Sequence, residues 1–291
     1  MTFASNCLKI RPNWMEELSD AAKSTKLKEL FLPGTHNSGS YEFKLQTYHF
    51  SKKYIYTQDV DIMGQLCLGA RYFDLRVGYH NTTKEPWWVA HNVVSIRALS
   101  KVLDDLTAFL DATREIVILD FYKFPTGFSN DDSTHTELFK FVNDHFKNRM
   151  TFPSWESTLS DLQRDGSRLL VTFNHVPKTI SQEDYLWKSA PRYWPNAHYL
   201  EEFVKNVKSY IKQKQHKTQA VLMGEMTPRS GEVFLNLNGG LRKMSSTVNT
   251  EINTWFGQKE FIDKCNIVAV DFIQSTDIVD AAVYWNSKKK T

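Results

Sequence analysis

Three cysteines in 291 residues are too few, and too odd a number, for a disulfide framework. Cys7, Cys67 and Cys265 also lie far apart, which excludes a Cys-x-x-Cys metal site. Charge of one sign is equally scarce. Lys and Arg number 36 against 33 Asp and Glu, a net charge of +3. No dense basic block is interleaved with aromatics, so no nucleic-acid partner is expected. Long apolar runs are missing, and nothing approaches the ~20 residues that a membrane-spanning helix needs. The opening MTFASNCLKIRPNWMEEL holds no signal-peptide core, so a reducing, cytoplasmic setting is expected, with peripheral membrane contact at most. The Asn81-Thr82-Thr83 sequon is expected to stay silent there, and Lys288-Lys289-Lys290 to be a solvated helix end. Low-complexity linkers and internal repeats are absent, and the length suits one domain over 1–291. Neither GxGxxG after the first apolar run nor GxxxxGK[ST] occurs, which weighs against dinucleotide and P-loop folds.

What the chain does have is alternation. Short apolar runs rich in Val, Ile, Leu and Phe recur: KELFLPG (28–34), GARYFDLRV (69–77), WWVAH (87–91), REIVILDFY (114–122), SRLLVTFNH (167–175), QAVLMGEM (219–226) and NIVAVDF (266–272). Most lack polar alternation, as strands buried on both faces do. Between them lie helical patterns. In SIRALSKVLDDLTAFLDAT, Ile96, Leu99, Leu103, Leu106 and Leu110 fall at i, i+3/i+4 spacing, with Asp104 and Asp105 outward. HTELFKFVNDHFKNRM and YLEEFVKNVKSYIKQK behave alike, as do VNTEINTWF and DIVDAAVYWNSKKK. Strands alternating with helices predict a mostly parallel sheet with helices outside, closed or nearly closed into a distorted (β/α) TIM barrel.

In such a barrel chemistry gathers where strands end. The first run delivers His36 and Asn37, the second Asp74 and Arg76, the third His91. The fourth ends in Asp120 with Lys123 beyond, and the fifth in Asn174 and His175. Glu225 and Arg229 follow the sixth, and Asp271 closes the seventh. One His at a strand end is commonly just a hydrogen-bonding residue, and Asp-x-Arg is a common structural ion pair. Two imidazoles amid carboxylates and an Arg carry more. One can take a proton while the other gives one, and the guanidinium can neutralise a phosphate oxygen. That set suits phosphodiester cleavage without a metal.

At these residues the chain resembles the phosphatidylinositol-specific phospholipase C (PI-PLC) X-domain family, above all its small stand-alone X-domain-containing members. The stretches are LPGTHNSGSY (32–41), GARYFDLRV, the His91 strand, REIVILDFYKF (114–124) and NIVAVDFIQSTDIVDAAV (266–283), in the family's order over nearly the whole chain. The resemblance implies a PLC-like phosphodiesterase acting on a phosphatidylinositol-type lipid. It makes His36 the general base on the inositol 2-hydroxyl, His91 the general acid on the leaving glycerol oxygen, and Asp271 the partner of His36. Arg76 would hold the phosphate, Asp74 would supply the carboxylate charge that the His36-Asn37 pair lacks, and Asn37, Lys123, His175 and Arg229 are candidate substrate contacts.

The resemblance also bears on metal. Calcium takes about six to eight oxygens, yet Arg76 and Tyr122 stand where the calcium-dependent pattern has carboxylates. No metal and no other cofactor is expected. Asn37 departs from the His-Asp of the metal-free pattern, so turnover is expected to be slowed, with Asn37→Asp raising it. A non-catalytic inositol-phospholipid sensor is the competing reading, and a metal-dependent glycerophosphodiesterase a third. With no C2, PH or EF-hand region in the chain, lipid contact is expected from the barrel rim: Trp87-Trp88, YHFSKKYIY (48–56) or PRYWPNAHY (191–199). At least one of the two tryptophans is expected in the barrel wall.

Overall fold

The structure is a computed structural model and describes residues 9–41, 52–128, 132–150, 155–164, 166, 168–178, 180 and 187–289 except 216, 236 and 237. Ten strands appear in it: β1 (Leu32–Thr35), β2 (Tyr72–Tyr79), β3 (Trp87–His91), β4 (Val94–Ala98) and β5 (Val117–Lys123), then β6 (Leu169–Phe173), β7 (Trp187–Lys188), β8 (Arg192–Tyr193), β9 (Val221–Gly224) and β10 (Ile267–Val270). Eight form one curled sheet in the order β7-β6-β5-β2-β1-β10-β9-β8, every neighbouring pair parallel. The two ends of this path, β7 and β8, are joined in the chain by residues 189–191 alone. The sheet therefore curls back on itself, and no ladder crosses between β7 and β8 among the described residues. This is the distorted (β/α) barrel expected from the alternating pattern, with its distortion at one seam.

The unbroken apolar runs explain the strands: β1, β6, β9 and β10 are buried at every residue. Helices cover them outside. The helix Leu99–Ala112 buries Leu99, Val102, Leu103, Leu106, Phe109 and Leu110, one apolar stripe, and packs on the helix Ser133–Phe146. Gly34 has a structural reason. A Cβ there would meet the Tyr72 ring at 2.7 Å, so only glycine lets β1 pack this closely on Tyr72.

One expected barrel strand behaves differently. The WWVAH run forms β3, which pairs antiparallel with β2 and then with β4, outside the main path. Too few residues separate 79 from 87 for a crossover helix, and a parallel connection needs one. The same hairpin consumes the start of the expected helix: Ile96 lies in β4, and the helix begins at Leu99. Trp87 is buried against Tyr79, Phe128 and Phe141, so it belongs to the wall and cannot meet lipid. Residues 48–51 of the expected YHFSKKYIY rim, with Cys7 and Lys290, lie outside the described residues. No described helix is long and apolar enough to cross a membrane.

Candidate active site

A cavity of about 550 Å³ opens where the strands end, and His36, Arg76, His91, Lys123, Glu225 and Asp271 all line it. Six separate elements therefore deliver polar side chains to one space. His36 follows β1 directly. Its Nδ1 lies 2.7 Å from Asp271 Oδ1, at the end of the neighbouring strand β10. Two non-glycine residues with positive φ adjoin this pair: Asn37 (φ 39°) after His36, and Phe272 (φ 51°) after Asp271. Such backbone is held by its surroundings at a cost of about 1–3 kcal/mol each. Phe272 is fixed by its N–H donating to the Thr57 carbonyl at 2.7 Å. Asn249 Nδ2 donates to the Asp271 carbonyl at 2.9 Å.

Nδ1–H donation to Asp271 leaves His36 Nε2 as a lone-pair acceptor facing Arg76 Nη2, which contacts it. Glu225 Oε1 stands 3.8 Å from the same nitrogen and Asp74 Oδ2 4.0 Å. Burial depresses the His36 pKa, but the charges of Glu225 and Asp271 outweigh it, and the net shift is upward. Glu225 is itself pushed up, chiefly by burial, and its Oε2 has no hydrogen-bond partner among the described residues.

His91 is set differently. Its Nδ1 donates to the Ile55 carbonyl at 2.5 Å, with no carboxylate behind it. Burial and then the Arg76 charge push its pKa down to about 3. The imidazole is therefore neutral at pH 7 in the free protein, with Nε2 left for a ligand. The Lys123 ammonium stands 5.4 Å from the Trp194 ring centroid, and desolvation followed by the Arg76 charge lowers its pKa.

Beneath the cavity runs a network whose carboxylates, Asp74 and Asp120, are fully buried. Asp74 Oδ2 accepts from the Asn37 backbone N–H at 3.0 Å and lies 3.7 Å from Arg76 Nη2. Asp74 Oδ1 accepts from Arg192 Nη1 at 3.0 Å. Arg192 Nη2 reaches Asp120 at 2.7 Å and the Tyr72 hydroxyl at 2.8 Å, and its guanidinium stacks 3.4 Å from the Tyr122 centroid. Burial would raise the Asp74 pKa, yet Arg192, Arg76 and His36 hold it well below the usual carboxylate range. These acids do not fit a divalent cation. The carboxylates after β2 and β5 are already bonded to Arg192, and two guanidinium groups would face the ion.

Three expected contacts fall elsewhere. Asn37 is fully buried, absent from the cavity lining, and its Oδ1 and Nδ2 bond to neither imidazole. Its backbone N–H, not its side chain, serves the site. His175 is exposed and bonds to Asp132 at 2.8 Å, because the chain turns outward after Phe173. Arg229 is exposed and its guanidinium lies over the Tyr199 ring, beside the mouth but outside the lining. Conversely Arg192 and Tyr122 line the cavity without having been assigned a contact role from sequence. The one signal for Arg192 is a lone cation between Pro191 and Pro195.

No family model matches the chain. It is 26% identical to human PI-PLC X domain-containing protein 3 over 94% of this chain and 93% of that one. It is 27% identical to mouse PI-PLC X domain-containing protein 2, covering 94% and 87%. Among solved structures, a Staphylococcus aureus PI-PLC superposes with a TM-score of 0.74 at 22% identity, covering 97% and 99%. The Listeria monocytogenes enzyme gives 0.67 at 19%, covering 95% and 98%. The resemblance read from the sequence thus holds along almost the entire chain, and the fold is that of a PI-PLC barrel.

Proposed function

We propose that this chain, similar throughout to PI-PLC X domain-containing proteins, is a metal-independent phosphodiesterase that cleaves an inositol phospholipid. The observation carrying the reading is the convergence of His36, Arg76 and His91 on one cavity, with Asp271 behind His36. His36 Nε2 accepts the proton of the inositol 2-hydroxyl, whose oxygen attacks phosphorus. Asp271 fixes the tautomer that makes this possible and stabilises the imidazolium that forms. Arg76, already at Nε2, turns to the non-bridging oxygens as charge builds there. The phosphorus–glycerol bond breaks, and the leaving oxygen takes a proton from His91. Diacylglycerol and a cyclic inositol phosphate result, the latter opened by water through the reverse proton transfers.

His91 is neutral in the free site, so it must be charged on substrate binding. Burial depresses the imidazole most and the Arg76 charge next, and the phosphodiester anion works against both by favouring the imidazolium beside it. Proton uptake with substrate is the consequence. The partner is a phosphatidylinositol-type headgroup, met on a membrane that the protein touches peripherally. Hydrolysis of phosphatidylinositol in mixed micelles tests the reading. Turnover is expected in excess chelator and is not raised by calcium. Turnover that needs added metal, or lipid binding with no turnover in any condition, overturns it.

The pH profile gives a second check. The base must be neutral, so kcat/KM rises with pH through the His36 pKa. Glu225 raises that pKa, so Glu225→Gln is expected to move the acid limb to lower pH. A limb that moves upward, or not at all, removes Glu225 from the electrostatics of the base.

A further inference from the structure

Both imidazoles are tied to one short stretch of chain, residues 53–58, that lies in none of the ten strands. The Lys53 carbonyl accepts from the Leu241 N–H at 2.8 Å, and the Ile55 carbonyl holds His91 Nδ1. Thr57 reaches the two positive-φ residues beside His36 and Asp271. Its carbonyl accepts from the Phe272 N–H, and its hydroxyl donates to the Asn37 carbonyl at 2.9 Å. Gln58 is buried, and its amide makes three bonds. Nε2 donates to the His36 carbonyl at 3.2 Å and to the Val270 carbonyl at 2.9 Å. Oε1 accepts from the Ile273 N–H at 3.2 Å. One side chain therefore joins His36, after β1, to backbone on both sides of Asp271, after β10.

Gln58 does not line the cavity, so these bonds act on backbone and not on a ligand. The Val270 carbonyl also accepts from the His36 N–H at 3.0 Å, which locks the two strand ends together. From there the chain must turn through Phe272 in left-handed backbone before it reaches Ile273. Such a turn persists only where its surroundings over-determine it. The reach of the Asp271 carboxylate to Nδ1 depends on that turn. Glu225 from β9, Asp74 and Arg76 from β2, and His91 from β3 also face or act on His36. Gln58 bonds to none of them. Its effect on the imidazole runs through Asp271.

Given the function proposed above, we propose that Gln58 is a positioning residue of the base, setting the span between the His36 and Asp271 backbones and so the alignment of Nδ1 on the carboxylate. Gln58→Met keeps the length of the side chain and removes all three bonds. With it, kcat for phosphatidylinositol in mixed micelles is expected to fall about 10–10²-fold, with KM within about twofold. The pH profile is expected to move as well. Burial pushes the His36 pKa down, and Glu225 and then Asp271 hold it up. A misaligned Asp271 gives up part of that support, so the acid limb of kcat/KM moves to lower pH by at least about half a pH unit. Gln58→Asn keeps the amide one methylene short. It is expected to shift the limb the same way by less, and it serves should the Met variant not fold.

Gln163→Met is the matched control. Gln163 is also buried, and its amide donates to the Arg114 carbonyl at 2.9 Å, away from the cavity. This variant is expected to lose stability and keep the wild-type pH profile. A folded Gln58 variant whose acid limb stays in place, however slow its turnover, overturns the proposal. So does a Gln163→Met limb that moves equally. NMR titration of the His36 ring in the free protein, assigned through His36→Ala, reads the positioning without substrate. A lowered His36 pKa in Gln58→Met, beside a wild type that cleaves no phosphatidylinositol, sinks the function and keeps the positioning. Cleavage by wild type with an unmoved His36 titration in the variant does the reverse.

Discussion

His36→Ala is expected to lower turnover of phosphatidylinositol about 10²–10⁴-fold, the usual loss when a general base is removed. The side chain is held from both ends, by Asp271 at Nδ1 and Arg76 at Nε2, so its Nε2 is fixed in place for the substrate proton. Asp271→Asn tests the same unit more finely. An Asn amide can donate to Nδ1, which drives the imidazole proton to Nε2 and removes the lone pair that accepts the substrate proton. A loss of at least about 10²-fold is expected for this nearly isosteric change as well. Initial rates in mixed micelles, with circular dichroism to establish folding, measure both. A folded His36→Ala protein that keeps more than about a tenth of wild-type activity rules out the base assignment.

The candidate site was legible where a polar side chain ends one of the short apolar runs. His36, Arg76, His91, Lys123 and Asp271 all follow or lie in such runs, and all line the cavity. The rule weakens beyond the last ladder residue. His175 obeys it on paper, but the chain has left the barrel there and Asp132 holds the ring outside. It fails outright for Arg192, whose strand is two residues long and has no apolar run to announce it. Its partners come from β2 and β5, more than 70 residues away, a pairing that local pattern does not encode. The fold shows the same limit. Periodicity revealed the buried strands and the outer helices, while the direction of β3 was set by the short connection before it. Asn37 is the instructive case. Its place beside His36 suggested a side-chain role, yet a positive φ turns it inward and leaves its N–H on Asp74. Asp at that position would bury a further carboxylate beside Asp74, so the geometry gives no reason for Asn37→Asp to speed turnover.

Arg192→Leu is expected to be the most damaging single change to stability. Arg192 is bonded at once to Asp74 and Asp120, all three buried, and Asp120 also accepts from the Ser189 hydroxyl. Ser189 and Arg192 flank the seam, which no backbone ladder closes among the described residues, so side chains on one carboxylate do there what the ladder does elsewhere. Removing the guanidinium leaves buried carboxylates facing each other across an apolar gap. The expected loss is about 3–5 kcal/mol, the cost of breaking a buried pair from one side, or a fall in Tm of roughly 10 °C. Lys restores charge without the fork and is expected to recover only part of it. The pH dependence has a definite sign. The folded pKa of Asp74 is depressed, so its contribution is complete above the ordinary carboxylate value of about 4 and is lost as pH falls through the folded value. The gap in Tm between wild type and Arg192→Leu should therefore be widest near neutrality and narrow in acid. A gap that stays constant from pH 7 down to strong acid would mean that the seam is held by packing alone.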